Sequence, residues 1–332
     1  MKKILIVIMV VAMLAVGCTS DNEAVYEVNN EVANNVVENG VNESEGSGDA
    51  PEELVERKTT FTDTLGREIV IESKPEKVIC LYGSFADLWY EAGGELVGII
   101  ESSTLPQQTL DLPKVGKMST PNIEAILSLE PDMVIIRAGY SKQEELLNIL
   151  EASNIHVYAA DYNSFDETMT TFKNFCYINE NEAMYEEKSQ PLIEGIKTLT
   201  DVENDFSYLL LFASSKSISA KDDNITAGII DNMGGENIAA NYSIADEESK
   251  QFSFEKILEL DPTYIFVQTM GSVEDAKARL EEDVMSNPAW ASLTAVQEGR
   301  FIYLPKELFL YKPNMKYLDA YQHISDILEG SN

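Results

Sequence analysis

Pro121-Asn122-Ile123-Glu124-Ala125-Ile126-Leu127-Ser128-Leu129-Glu130-Pro131-Asp132-Met133-Val134-Ile135-Ile136 is the stretch on which the fold turns, because the chain says it twice. The second copy is Phe252-Ser253-Phe254-Glu255-Lys256-Ile257-Leu258-Glu259-Leu260-Asp261-Pro262-Thr263-Tyr264-Ile265-Phe266-Val267. Gly93-Gly94-Glu95 precedes the first copy and Gly234-Gly235-Glu236 the second. The shared E-x-I-L-x-L-x-P pattern recurs after 131 residues, far beyond the period of a solenoid and suited to two similar lobes with a cleft between them. In the first copy Ile123, Ile126, Leu127 and Leu129 fall at helical spacing, and the following proline stops the helix. An apolar run follows each proline, Met133 to Ile136 and Tyr264 to Val267, short enough for a strand buried on both faces. Helix-to-strand order, repeated, predicts α/β architecture: two lobes, each with a mainly parallel sheet flanked by helices.

Working outward, residues 61–71 read as a hairpin around Leu65-Gly66, Val78 to Tyr82 as the first parallel strand, and Phe85 to Glu91 as a helix stopped by Gly93-Gly94. Ser141 to Ser153 reads as a helix and His156 to Ala160 as a strand, which completes a first lobe over 59–164. From Phe165 to about Val202 the pattern stays helical, with Phe172, Phe175, Ile178, Met184, Leu192, Ile196 and Leu199. This predicts a helical connector over 165–204, kinked or restarted at Pro191. Such a connector resists hinge bending, so lobe movements on binding are expected to be small. Strands at Tyr208 to Phe212, Tyr264 to Val267 and Phe301 to Leu304, with a last helix from about Met315 to Glu329, make a second lobe over 205–332.

Ahead of the lobes, Lys2 and Lys3 precede an apolar stretch from Ile4 to Val16 that ends at Gly17-Cys18. Residues 1–18 resemble a bacterial lipoprotein signal, with Ala15 where such signals prefer leucine and Leu14 one place earlier. The resemblance implies that Cys18 becomes an acylated amino terminus; a plain transmembrane anchor is the alternative, and both place the body outside the cytoplasmic membrane. Residues 19–58 carry eleven acids against Arg57 and Lys58 and no sustained periodicity, the composition of a disordered acidic tether. With −9 in the tether and +2 from Lys2 and Lys3, the overall −33 leaves −26 for residues 59–332. So acidic a body argues against nucleic acid, whose phosphates need clustered Lys and Arg. Cys80 lies in a strand-like run and Cys176 in a helical one, and both read as buried thiols rather than a bridge.

Four segments together resemble the iron-siderophore, haem and cobalamin class of ABC-transporter substrate-binding proteins: Phe61-Thr-Asp-Thr-Leu-Gly-Arg-Glu-Ile69, Pro75-x-Lys-Val-Ile79, Val115-Gly116 with Pro-Asn-Ile-Glu124, and Asn287-Pro-Ala-Trp290 with Ala295-Val-Gln-Glu-Gly-Arg-Phe-Ile-Tyr303. The likeness spans residues 59–330 in the family's order. It implies two α/β lobes joined by a long helix, a ligand held in the cleft, and delivery to a membrane permease driven by an ATPase. Glu124 and Glu255, at equivalent places in the repeat, match the family's one surface glutamate per lobe that pairs with permease arginines. By themselves they fit equally well as acids in the first turn of a helix.

Open α/β sheets bind ligands beyond the carboxyl ends of their strands. That rule nominates Tyr82, Ser84, Lys117, Met118, Arg137 and Tyr140 in the first lobe, and Lys221, Tyr242, Gln268, Met270, Phe309 and Tyr311 in the second. Aromatic walls with a few polar groups suit a large planar or chelate ligand. Arg137, directly after a buried strand, can offer a bidentate fork to carboxylate, catecholate or hydroxamate oxygen, or can pair with a neighbouring acid. His156 and His323 are the only histidines, and neither falls at an expected cleft loop, so a bare protein-held metal site is not expected. No resident cofactor is expected; a ferric siderophore, which brings its own oxygen ligands, is the first expectation, with haem and cobalamin open. No G-x-S-x-G, H-E-x-x-H, P-loop or G-x-G-x-x-G occurs, so nothing points to an enzyme. A bilobal lipoprotein outside transport, whether an enzyme or an adhesive or signalling protein, is the remaining alternative.

Overall fold

The computed structural model describes residues 58–102, 105–241 and 254–330. The signal segment, all of the tether but Lys58, and Tyr242 lie outside the described residues. Among the described residues, no helix is long and apolar enough to cross a membrane.

The chain opens with an antiparallel hairpin of β1 (Thr59–Thr62) and β2 (Glu68–Ile71). Its turn is tied by Asp63, whose Oδ1 accepts from the amides of Leu65 at 3.0 Å and Arg67 at 2.9 Å. The first-lobe sheet then takes β3 (Val78–Cys80), β4 (Gly98–Glu101), β5 (Lys114–Lys117), β6 (Thr120–Pro121), β7 (Met133–Arg137) and β8 (His156–Ala160). Their spatial order is β6-β5-β4-β3-β7-β8, parallel throughout except where β6 turns back on β5. β3 and Met133 to Ile136 of β7 are wholly buried, as uninterrupted apolar runs at the centre of a parallel sheet should be.

The second sheet holds β9 (Phe206–Ala213), β10 (Ile218–Ala220), β11 (Gly235–Asn237), β12 (Tyr264–Thr269) and β13 (Phe301–Tyr303). The order is β10-β9-β12-β13, with β11 sharing the outer edge of β9 and only β10 antiparallel. Both faces of this sheet are covered. Tyr208 and Leu210 enter one apolar cluster with the terminal helix Tyr317–Leu328, while Leu209 and Leu211 enter another with Ile257, Leu280 and Trp290.

The duplicated stretch folds alike in both lobes. Helices Ile123–Ser128 and Phe254–Leu260 lead into β7 and β12. Between helix and proline, Glu130 and Asp261 take left-handed backbone conformations, φ +49° and +39°, which end the helix before the proline restarts the chain as a strand. Both double glycines also match: Gly93 and Gly234 have φ of +81° and +87°, positions where a side chain would be strained.

The hairpin, the α/β class, β8 and the unbridged, buried Cys80 and Cys176 agree with the sequence reading. Two expectations are corrected. Residues 141–153 form two short helices, Ser141–Glu144 and Leu147–Ala152, not one. The helical stretch after Phe165 breaks at residues 179–181, where Glu180 has φ +54°, whereas helix Glu182–Thr200 runs through Pro191 without interruption. The preceding helix Phe165–Ile178 sends Phe172, Phe175, Cys176 and Ile178 into the first-lobe core, while Phe165 at its start packs against Tyr317 of the second lobe. Lys188 ties the connector's second helix to the first lobe by donating to the Glu91 carbonyl at 3.0 Å and pairing with its carboxylate.

Candidate functional site

Parallel strands carry their carboxyl ends to one edge, and in the first lobe that edge gathers Tyr82 after β3, Met118 after β5, Arg137 at the end of β7 and Asp161 after β8. The register pairs Arg137 with Ala160, so Asp161 stands one residue beyond the arginine on the neighbouring strand. Gln143, fully buried at the start of the next helix pair, pins these ends together. Its Oε1 accepts from the Arg137 amide at 2.8 Å, and its Nε2 donates to the carbonyls of Leu81 at 3.0 Å and Met118 at 3.1 Å.

The Arg137 guanidinium lies between two aromatic rings, 4.8 Å from the Tyr82 centroid and 5.3 Å from that of Tyr140. Its Nε is buried without a hydrogen-bond partner among the described residues and stands 3.7 Å from Asp161 Oδ1, too far for a hydrogen bond. Tyr82 packs edge-on against Phe85 at 4.7 Å, and Phe85 against Tyr162 at 5.3 Å, so the floor beneath the arginine is aromatic. Burial holds the Tyr162 hydroxyl well above its usual pKa, which keeps it a neutral donor.

The second lobe reaches this floor through the segment that follows its last strand. Lys312 has a side chain only 7% exposed; its Nζ donates to the Tyr162 carbonyl, sits 4.4 Å from the Tyr162 ring centroid and 3.1 Å from Asp161 Oδ1. Burial lowers the Lys312 pKa, and the Asp161 carboxylate pulls it back up. Two residues on, buried Asn314 adopts φ +52°. It accepts from the Tyr162 hydroxyl at 2.6 Å and donates to the Ser84 carbonyl at 2.8 Å and to Asp87 Oδ2 at 2.9 Å. Tyr317 completes the join, with its hydroxyl 3.3 Å from that of Thr168.

The nominated residues divide accordingly. Tyr82, Met118, Arg137 and Tyr140 come together at the first-lobe edge, Ser84 stands beside them with its carbonyl engaged, and Lys117 is exposed nearby on β5. In the second lobe Met270 is exposed just beyond β12, and Lys221 lies 5.3 Å from the Phe212 ring. Tyr311 is half-buried next to Lys312. Gln268 and Phe309 are placed differently from a cleft wall. Gln268 is buried, accepting from Asn224 Nδ2 at 3.0 Å and donating to Thr226 Oγ1 at 2.9 Å and to the Phe309 carbonyl. Phe309 is buried against His323, 5.7 Å between centroids. Both serve the interior of the second lobe. Glu124 and Glu255 are exposed in the first turns of their helices. Among the described residues, no group of three His, Cys, Asp or Glu side chains is placed to hold a metal ion.

Asp161, Gln143, Lys312 and Asn314 were not among the sequence nominees. Asp161 obeys the same strand-end rule that selected Arg137 and was reachable by it; the other three depend on contacts made across 25 to 230 residues of chain. A surface groove lined by Arg67, Val70, Glu151 and His156 lies at the opposite, amino-terminal end of β8. Its arginine is already committed, to Asp63 and Glu151 at 2.6 Å each.

Residues 78–308 match the periplasmic binding protein family. The Fe(3+)-citrate-binding protein YfmC of Bacillus subtilis is 26% identical over 311 residues, covering 90% of this chain and 87% of that protein. A vitamin B12-binding protein of Vibrio cholerae is 24% identical over 260 residues, covering 76% and 89%. Among solved structures, the periplasmic catecholate-siderophore binding protein VctP of Vibrio cholerae shares the fold with a TM-score of 0.63 at 16% identity, covering 82% of this chain and 100% of that one.

Proposed function

The chain belongs to the periplasmic binding protein family, and from that premise we propose that it is the extracytoplasmic substrate-binding component of an ABC importer for an iron complex, haem or cobalamin, with an anionic ferric chelate as its ligand. The observation that carries the finer reading is Arg137. In a body of strongly negative charge, a guanidinium with uncommitted hydrogen-bonding capacity is held between Tyr82 and Tyr140 at the strand-end edge where α/β sheets bind. Carboxylate, catecholate or hydroxamate oxygens would complete its fork, and the tyrosine rings would cover the chelate's flanks. The ferric-citrate and catecholate-siderophore relatives support this class; the vitamin B12-binding relatives support cobalamin as the second reading.

The protein does no chemistry on the ligand. It binds, docks and releases, and its partners are a permease and an ATPase. Cys18 is the acylation site that tethers it to the membrane, checked by metabolic palmitate labelling that a Cys18→Ser chain should lose. The ligand is tested by titrating ferric citrate, a ferric catecholate, a ferric hydroxamate, haem and cyanocobalamin while following thermal stabilisation, which a true ligand must raise with concentration. Saturable stabilisation by an anionic ferric chelate, weakened about tenfold or more in Arg137→Gln, is expected. Stabilisation by cyanocobalamin alone would transfer the reading to cobalamin, and no saturable response to any of the five would sink it.

A further inference from the structure

Beside the aromatic floor of the first lobe, one carboxylate faces two cations drawn from separate parts of the chain. Asp161 Oδ1 is 3.1 Å from Lys312 Nζ and 3.7 Å from Arg137 Nε, and at neither does it accept an aligned hydrogen bond. At equal dielectric the shorter separation makes the lysine's pull about a fifth stronger. Lys312 is also fixed independently of Asp161, by the Tyr162 carbonyl and ring. Arg137 is flanked by the Tyr82 and Tyr140 rings, its side chain makes no hydrogen bond among the described residues, and its backbone is held by Gln143. The anchored cation therefore holds the carboxylate, and the sandwiched one keeps its donors.

The geometry points to Lys312 as a positioning residue, supplied by the second lobe, that draws Asp161 off Arg137 and so keeps the first lobe's guanidinium open for an anion. This rests on the reading of Arg137 as the ligand anchor. It makes the anchor competent only when the two lobes are joined, since the lysine arrives on the same segment as Asn314. A lysine that merely braced the fold would loosen the floor when removed and expose Arg137 further. A lysine that restrains Asp161 would, when removed, let the carboxylate close on the guanidinium and shield it.

The two roles predict opposite signs in a measurement that needs no ligand. The full chain is treated with phenylglyoxal, an arginine-specific reagent, and the modification rate of Arg137 is read by peptide mass spectrometry against Arg67 as internal reference. Lys312→Met should slow Arg137 modification about threefold or more, Lys312→Arg should leave it near the starting rate, and Asp161→Asn should raise it. The double variant Lys312→Met, Asp161→Asn should return at least to the starting rate, because the shielding group is gone. An unchanged or faster rate in Lys312→Met, or a double variant as slow as the single, would overturn the inference. Its failure is separable from that of the ligand reading: the modification rates judge Lys312 without any chelate, and the five-ligand titration judges the ligand without any Lys312 variant.

Discussion

The two copies of the repeat are built alike through the four apolar residues that open their strands, and at the fifth they part. Counting 131 residues on from Arg137 gives Gln268, so the arginine and the glutamine occupy the same place in the two lobes. Arg137 is half-buried, flanked by Tyr82 and Tyr140 and short of hydrogen-bond partners. Gln268 is buried and uses both ends of its amide, tying β12 to Asn224, Thr226 and Phe309. Equal backbone positions thus carry unequal duties. On the proposed reading the arginine, with donors to spare, is the binding group, and the glutamine, its amide engaged at both ends, is a strut. The ligand is therefore expected to be gripped by charge from the first lobe and only covered by the second.

Exchanging the fates of these two residues is the strongest way to break the comparison. Arg137→Gln should cost about ten- to hundredfold in affinity for an anionic ferric chelate, the worth of hydrogen bonds to a charged group, with little change in thermal stability. Gln268→Leu should do the reverse. It strands the Asn224 amide and removes a buried link, destabilising the protein by about 1–3 kcal/mol in urea unfolding, with the chelate affinity of the folded fraction nearly unchanged. Equal losses of affinity in the two variants would show that the lobes share the grip.

How much of this was legible follows from the distance over which each feature is encoded. The helix-proline-strand unit is local: Glu130 and Asp261 turn the chain, Pro131 and Pro262 forbid a longer helix, and four apolar residues make each strand. It was read correctly in both lobes. Pro191 does not restart the helix: Leu192 and Ile196 are buried beside it, and their packing offsets the hydrogen bond that a proline removes. The strand-end rule found Arg137, Tyr82 and Tyr140, yet it found Gln268 and Phe309 equally well, because periodicity places a residue at an edge without saying whether its side chain turns to the cleft or back into the lobe. Lys312 and Asn314 had no local signal at all. Their meaning comes from Asp161, Tyr162, Ser84 and Asp87, each some 150 residues or more away.

A smaller effect sharpens the strut half of the comparison. His323 packs on Phe309, whose carbonyl Gln268 holds, and burial lowers its pKa while Asp326 opposes the shift. Its folded pKa lies below the unfolded value near 6.5, so between the two the unfolded chain binds the extra proton. Stability is full above that range and falls as pH drops through it. His323→Gln should flatten this part of the pH dependence in unfolding curves taken between pH 7.5 and 5, leaving the carboxylate-driven loss at lower pH. A slope identical in both proteins would assign the loss to other groups.

The least energetic prediction concerns the one side chain the two copies keep in common at their surface. Glu124 and Glu255 are exposed in helical first turns, the former on a helix capped by the Asn122 side chain, which accepts from the Ala125 amide at 3.1 Å. An acid there contributes about 0.3–1 kcal/mol through the helix dipole, so Glu124→Gln and Glu255→Gln should leave unfolding midpoints and chelate affinity almost unmoved. If the pair is the docking charge that each lobe offers to its half of a permease, each single change should lower uptake of the iron complex by whole cells and the double change should lower it further. Losses in uptake at unchanged affinity place the defect after capture. Normal uptake by the double variant would reduce both glutamates to first-turn acids, and the symmetry of the repeat would then end at the fold.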